Sequence, residues 1–441
     1  MTMLSQYTHK IQLDRNNYAV FNNLIFKPVI LSKNEFDQIK AGDLSSFSKQ
    51  NIKSLYKKGI LVDDKETDQN AYRILRDSFN NSPDRICLMY LIPYSGCNLA
   101  CRYCFIGQID NKKATFMSIE TAENALRKFY NHLKKNRIKK GQIIFYGGEP
   151  TLNFSVIEKI SNDIMRQKLP IILSMITNAT ALTDEMIKIC EDNHISLGIS
   201  LDGPKALNDY NRFFKSGTES VYQKAIQTIS KLKKTSVDFA ISLTLSQEVL
   251  DDNNLLNWIK ELDVKNINFN LLHFTHKNED WKSYYQKASR FLFQAYDQLF
   301  PLNIKDDRIL RKFRSFHSEK FTVNDCAAVG SEQITIRPDG SMTICHGYWN
   351  TNEENCGNIN KDDIDNVFQT PVYHKWKTNL TVNKKKCLKC PAIYICGGGC
   401  PKQSESLFGS QTHVDSPFCI HAKYTLKELL KRQYKENTKG D

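Results

Sequence analysis

Cys97-Asn98-Leu99-Ala100-Cys101-Arg102-Tyr103-Cys104-Phe105 crowds three thiols into eight residues. Neither one strand nor one helix can turn three such side chains toward a single point, so the stretch reads as an irregular loop wrapped around one inorganic centre. The number of thiols is informative. A [4Fe-4S] cube held at three corners leaves one iron open to an exogenous ligand, whereas a structural zinc wants a fourth protein ligand close by, and purely structural thiols rarely crowd so closely. Just before the loop runs an apolar stretch, Ile86 to Ile92. Five more follow at Gln142 to Tyr146, Ile171 to Thr177, Ile195 to Leu201, Val237 to Thr244 and Ile267 to Phe274. Helical periodicity separates them: Ile119, Ala122, Leu126, Phe129, Tyr130 and Leu133 mark an amphipathic helix between the first two. Six strands alternating with helices predict a parallel sheet buried on both faces, and a partial (β/α)6 barrel over residues 81–278 fits best. The cysteine loop then lies at the C-terminal mouth, where such folds keep their chemistry.

Moving outward, Gly147-Gly148-Glu149-Pro150 follows the second strand directly. Glycines admit close approach of the backbone to a ligand, and a carboxylate accepts from an ammonium group. Alone these four residues read as an ordinary turn, but one strand after the cysteine loop they read as part of a ligand site. The next strands end in Thr177-Asn178 and Ser200-Leu201-Asp202-Gly203-Pro204, with Arg212 soon after. Taken plainly, Ser200 and Arg212 are an N-cap and a surface arginine. Toward the C-terminus, Cys326, Cys345, Cys387, Cys390, Cys396, Cys400 and Cys419 form a second constellation. Zinc would explain the Cys387-x2-Cys390 pair but not the longer spacing. Arg337-Pro338-Asp339-Gly340 reads as a hairpin turn that brings Cys326 and Cys345 together.

The segment Cys97 to Phe105 resembles the signature of the radical S-adenosylmethionine (SAM) superfamily, and the later cysteines resemble the SPASM domain. The likeness spans about residues 86–425. It implies that Cys97, Cys101 and Cys104 hold a [4Fe-4S] cluster whose open iron chelates SAM, which is cleaved by one electron to methionine and a 5′-deoxyadenosyl radical. Gly147, Gly148, Glu149 and Pro150 would hold the SAM amine, Ser200 and Arg212 the carboxylate, Asn178 would join the set, and Phe105 would lie near the adenine. Cys387, Cys390, Cys396 and Cys419 would carry an outer auxiliary cluster, and Cys326, Cys345 and Cys400 an inner one, making three [4Fe-4S] clusters. The inner cluster would keep an iron open to a substrate thiolate, with Cys356, from the Asn350 to Asn360 loop, as the rival fourth ligand. Cys87 and Cys190 read as core residues.

Residues 1–80 form a winged-helix-like module. Its sequence shows an apolar stretch from Tyr18 to Leu31, a capping box at Ser32-x-x-Glu35, Phe36 and Ile39 at helical spacing, Gly42 as a stop, a second helix around Ile52, Leu55 and Tyr56, and a short strand at Gly59 to Asp64. Residues 279–320 read as a helical bridge and 321–441 as the SPASM domain. Sulfatase maturases begin almost at the cluster loop, so this extra module resembles the recognition element of ribosomal-peptide maturases, which captures a leader peptide as an added strand. A structural cap is the plain alternative. The net charge of +13 suits acidic partners or a solvated lysine-rich surface equally. No apolar run approaches a membrane span and the start lacks a signal peptide's apolar core, while thirteen cysteines suit a reducing cytoplasm.

The expected function is therefore that of a cytoplasmic radical SAM oxidoreductase that crosslinks a ribosomally made precursor peptide, by a Cys thioether. It would take electrons from a reductase or flavodoxin and bind neither nucleic acid nor membrane. The alternatives are formylglycine formation, as in anaerobic sulfatase maturases, and an iron–sulfur DNA-binding sensor, which would have no use for Gly-Gly-Glu-Pro or a three-thiol loop.

Overall fold

Ser32 closes its capping box as expected: its Oγ accepts from the Glu35 amide at 3.2 Å and its own amide donates to Glu35 Oε2 at 2.7 Å. In the computed structural model, which describes residues 2–107, 110–274, 280–318, 320–322, 324–351 and 353–439, this box starts the helix Lys33–Ala41. Gly42, with φ of 78°, ends it. Before it lie β1 (Met3–Leu4), β2 (Thr8–Gln12), β3 (Asn17–Asn22) and β4 (Val29–Ser32), and after a second helix, Lys49–Lys57, comes β5 (Leu61–Val62). β2, β3 and β4 make a three-stranded antiparallel sheet in that order, and β1 pairs with β5.

Strand β3 faces two ways because its side chains alternate. Val20 joins Leu31, Phe36, Ile39, Leu55 and Ile60 in a small core of the module. Ala19 and Phe21 belong instead to the main core, and Phe26 stacks on Tyr394 at 5.1 Å between ring centres. Asn23 Nδ2 donates to the carbonyls of Leu388 and Cys390 at 2.8 and 3.0 Å. A helix not expected from the sequence, Lys65–Asn80, completes the module. Its one buried side chain is Asp68, which accepts from Ser5 Oγ at 2.6 Å and the Gln6 amide at 2.7 Å.

The main sheet contains all six expected strands: β6 (Leu88–Tyr94), β7 (Gly141–Gly147), β8 (Ile171–Thr177), β9 (Ile195–Ser200), β10 (Phe239–Leu245) and β11 (Asn266–Leu271). They pair in parallel in chain order, which is the open (β/α)6 arrangement. β12 (Lys305–Asp306) extends it parallel to β11. β13 (Gln333–Ile336) adds to the other edge parallel to β6, and β14 (Met342–Thr343) folds back antiparallel. The residues between the barrel and the cysteine-rich region therefore build sheet as well as helix; the helices there are Trp281–Leu299 and Asp307–His317. The expected boundary at 278/279 lies outside the described residues.

Burial on both faces proves asymmetric. In β7, Ile143 and Phe145 are fully buried in the main core, while Gln142, Ile144 and Tyr146 are only half-buried on the other face. An open barrel leaves its inner face lining a space rather than a packed core. The turn Arg337 to Gly340 forms as read, with the Gly340 amide donating to the Arg337 carbonyl at 2.9 Å and a φ of 84°.

Candidate functional site

Because the strands are parallel, every loop that follows one emerges at the same edge of the sheet. The cysteine loop follows β6, Gly147 to Pro150 close β7, Asn178 follows β8, Ser200 ends β9, and His273 lies two residues past β11. The first two loops are zipped together: the Glu149 amide donates to the Gly96 carbonyl at 2.8 Å. A Cβ on Gly148 would stand 1.9 Å from that same carbonyl oxygen, and Gly147 has a φ of 131°. Only glycine fits this pair of positions.

Glu149 is 1% exposed. Its carboxylate accepts from the Thr151 amide and hydroxyl at 3.2 and 2.6 Å, Thr177 Oγ1 at 2.7 Å and the Asn178 amide at 2.8 Å. Burial pushes its carboxyl up, and these donors pull it back. The carboxylate thus holds the end of β7 against the end of β8. Asn178 carries the tie further, donating to Asn98 Oδ1 at 2.9 Å inside the cysteine loop.

Arg212 is buried rather than on the surface. Its Nε donates to Asp202 Oδ2 at 2.7 Å, and its Nη1 reaches Cys101 Sγ at 3.8 Å. Asp202, fully buried, also accepts from the Tyr103 hydroxyl and from the Thr244 amide at 2.9 Å. One carboxylate therefore fixes both the arginine and the cysteine loop. Ser200 is half-buried at the end of β9.

The thiols of the loop disfavour one another's ionisation. Burial, Glu149 and then the neighbouring Cys101 and Cys104 push Cys97 up to about 12, and burial raises Cys101 although Arg212 opposes it. Ligation to iron reverses this preference by deprotonating thiols outright. The loop suits that outcome, since the Leu99 amide already donates to Cys97 Sγ at 3.4 Å, a bond that stabilises the charge of a ligating sulfur.

The second constellation falls into two groups in space. Cys387, Cys390, Cys396 and Cys419 line one cavity of about 480 Å³ together with Gly397, Gly398 and Gly399. Burial first, with neighbouring thiols adding, raises Cys419 to about 12. Cys326, Cys345 and Cys400 face one another instead: burial leads, then Cys326 and Cys400 raise Cys345, and Cys326 raises Cys400 to about 12. The Gly347 amide donates to Cys345 Sγ at 3.3 Å. Both sets offer buried sulfur donors, the chemistry that holds iron–sulfur clusters. Asp415 joins them, accepting from the Cys400 amide at 2.9 Å, Gln403 Nε2 at 2.9 Å and the Phe418 amide, next to Cys419, at 3.2 Å.

Cys356 is buried. Its thiol contacts the Glu354 carbonyl at 3.7 Å, and burial, followed by the influence of Thr370, Glu354 and Arg337, leaves it raised to about 11. Cys190 is a fully buried core residue and Cys87 is half-buried.

Sequence reasoning missed several polar groups here. His346 stacks on Tyr90 at 4.3 Å and meets Tyr146 edge-on at 5.3 Å. Phe105 lies 5.7 Å from His273 and 6.4 Å from His346. Asp202 and Asp415 look like ordinary loop carboxylates in sequence. His346, adjacent to Cys345, carried the one usable signal.

Residues 91–259 match the radical SAM superfamily, and residues 326–391 match the SPASM domain, an iron–sulfur cluster-binding domain. This chain is a radical SAM/SPASM enzyme. The SPASM match ends before Cys396, Cys400 and Cys419, which the fold brings back to it. The radical SAM cyclopropyl synthase TigE of Paramaledivibacter caminithermalis is 22% identical over 98% of this chain and 96% of its own length. The cysteine-type anaerobic sulfatase-maturating enzyme of Clostridium perfringens is 26% identical over 71% of this chain and 88% of its own. Among solved structures, anSMEcpe with bound AdoMet and Cp18Cys peptide superposes with a TM-score of 0.67 at 24% identity, covering 80% of this chain and 99% of that one. Streptococcus suis SuiB bound to precursor peptide SuiA superposes with a TM-score of 0.58 at 17% identity, covering 95% and 100%. This radical SAM/SPASM enzyme binds SAM and iron–sulfur clusters, and no described helix is long and apolar enough to cross a membrane.

Proposed function

We propose that this enzyme crosslinks a ribosomally made precursor peptide, closing a Cys thioether, with three [4Fe-4S] clusters on the ten cysteines assigned above. The observation that carries this reading is the free edge of the N-terminal sheet. Among the described residues β4 pairs only with β3, its Ile30 is 47% exposed, and an unpaired edge accepts an extended peptide as an added strand. The module is also fastened through Asn23 to the carbonyl of Cys390, so a leader held there would be tethered to the body that does the chemistry. Support comes from SuiB, whose structure holds a precursor peptide and spans 95% of this chain, and from TigE, which spans 98%.

Bound SAM supplies a hydrogen-abstracting 5′-deoxyadenosyl radical. The protein's share is position. Cys97, Cys101 and Cys104 present three sulfurs, Gly147 to Pro150 offer backbone beside Gly96, Arg212 is held rigid by Asp202, and Ser200, Asn178 and Phe105 complete the rim. The inner three cysteines lie beside the same mouth and would hold a cluster with one iron open to a substrate thiolate, a reading supported by the contact of the Cys356 thiol with the Glu354 carbonyl. Around the outer four, Lys282, Lys384, Lys386 and Lys423 line the cavity, and Lys385 and Lys389 are exposed. Such a basic rim suits an acidic electron donor, a reductase or flavodoxin, in a cytoplasm that keeps all thirteen cysteines reduced.

TigE's name favours a second reading, closure of a carbon ring. Both reactions remove two hydrogens, so mass alone does not separate them. The neighbouring genes are searched for a short Cys-containing peptide, which is given to the enzyme reconstituted anaerobically with SAM and reductant, and the product is labelled with iodoacetamide. Loss of two hydrogens with one thiol fewer to alkylate is expected. A full complement of thiols would overturn the thioether in favour of ring closure, and an aldehyde product would favour formylglycine formation.

A further inference from the structure

His273 emerges from β11 at the mouth, between Phe105 of the SAM loop and the inner cysteines. Its Nε2 lies 3.7 Å from Cys400 Sγ. Its Nδ1 is buried with no partner among the described residues, so the sulfur contact is the ring's one polar anchor there. Two ligands on different corners of a cluster are held apart by the cluster between them. A nitrogen 3.7 Å from a ligating sulfur is therefore at hydrogen-bond range, not at the range of a second ligand.

We propose that His273 is a positioning residue of the inner auxiliary cluster, donating its Nε2–H to the Cys400 sulfur and holding that cluster's reduction potential up. This rests on the reading that Cys326, Cys345 and Cys400 share one cluster. Hydrogen bonds to ligating sulfurs stabilise the reduced, more negative state and are a main determinant of iron–sulfur potentials. The Gly347 amide gives the Cys345 sulfur one such bond from the backbone, at 3.3 Å. The Cys400 sulfur takes its bond from a side chain at the substrate-facing end of the sheet, where Phe105 packs 5.7 Å from the same ring. A substrate entering this mouth meets the imidazole that sets the readiness of the adjacent cluster to accept an electron.

The test uses the full-length, cluster-loaded enzyme and its His273→Phe, His273→Gln and Cys400→Ala variants, read by iron and sulfide content and by EPR-monitored redox titration. Cys400→Ala should lose one cluster's worth of iron; if it keeps all its iron, the shared-cluster reading fails. Given that loss, His273→Phe should keep its full iron content while one auxiliary cluster titrates at a more negative potential, and His273→Gln, which retains an N–H donor, should recover part of the shift. Unchanged potentials in His273→Phe, a shift that His273→Gln fails to reduce, or the loss of a cluster in His273→Phe would each overturn the proposal.

Discussion

Two sets of three thiols face the same mouth, and they are assembled by opposite means. Cys97, Cys101 and Cys104 come from one loop, held against the ends of the neighbouring strands: the Glu149 amide to Gly96, Asn178 to Asn98, Arg212 to Cys101. Cys326, Cys345 and Cys400 come from three segments, brought together by the β13–β14 hairpin and by Asp415. A contiguous loop can hold its ligands in register while distant parts loosen. A dispersed set has no such independence, because each of its members is placed by a different tertiary contact.

The largest test of this contrast removes the contiguous set. Replacing Cys97, Cys101 and Cys104 together by Ala should abolish 5′-deoxyadenosine formation yet leave the iron of both auxiliary clusters, because no ligand is shared. Loss of all iron would show that the two regions are not separate. Next, Asp415→Ala leaves the Cys400 and Phe418 amides without their acceptor, while Gln403 Nε2 keeps the Tyr285 hydroxyl, at a cost of about 1–3 kcal/mol for each buried donor left unpaired. Auxiliary iron should fall while reductive SAM cleavage persists, as iron counting beside a 5′-deoxyadenosine assay would record. If SAM cleavage fell in step with the iron, the independence of the loop would be lost.

The smallest effect concerns pH in the cluster-free protein. Cys97, Cys400 and Cys419 are pushed up to about 12 and Cys387 to about 11, chiefly by burial, above the ordinary thiol value of about 8.5. A pKa raised in the folded state stabilises the fold below the unfolded value, and that contribution is lost as pH rises toward the folded one. The cluster-free protein should therefore melt progressively lower from about pH 8 upward. The loaded enzyme, with its thiolates already bound to iron, should show a flatter profile. Parallel melting curves for the two forms would remove burial of the thiols as the cause.

The same contrast decides what could be read from the sequence. The contiguous loop and the strands were legible because each is local: β8 runs over Ile171–Thr177 as its apolar run suggests. The helix Lys65–Asn80 escaped because its buried anchor is the carboxylate of Asp68 while Ile74 is 68% exposed, the reverse of what hydrophobic periodicity detects. The seven later cysteines were legible as a pattern, but their dependence on Asp415 was not, nor was that of Arg212 on Asp202. Those partners are brought together only by the fold. The inner face of the sheet was read as buried because apolar side chains line it; they line a space open at the mouth.

The tie from Asn23 to the carbonyls of Leu388 and Cys390 spans more than three hundred residues of chain, and on the ribosome that separation is time. The residues that fasten the loop after β6 to the neighbouring strand ends, from Gly96 through Thr244, are synthesised well before Cys387 exists. Cys419 follows Cys104 by more than three hundred residues. The SAM loop can thus take its shape on a nascent chain, whereas the wall against which the outer four cysteines are built waits for the first strands to meet the last segments. Such long-range contacts form late because loop closure must precede their reward. The direction of translation thus lets the three-thiol loop exist in full before any ligand of the outer site does.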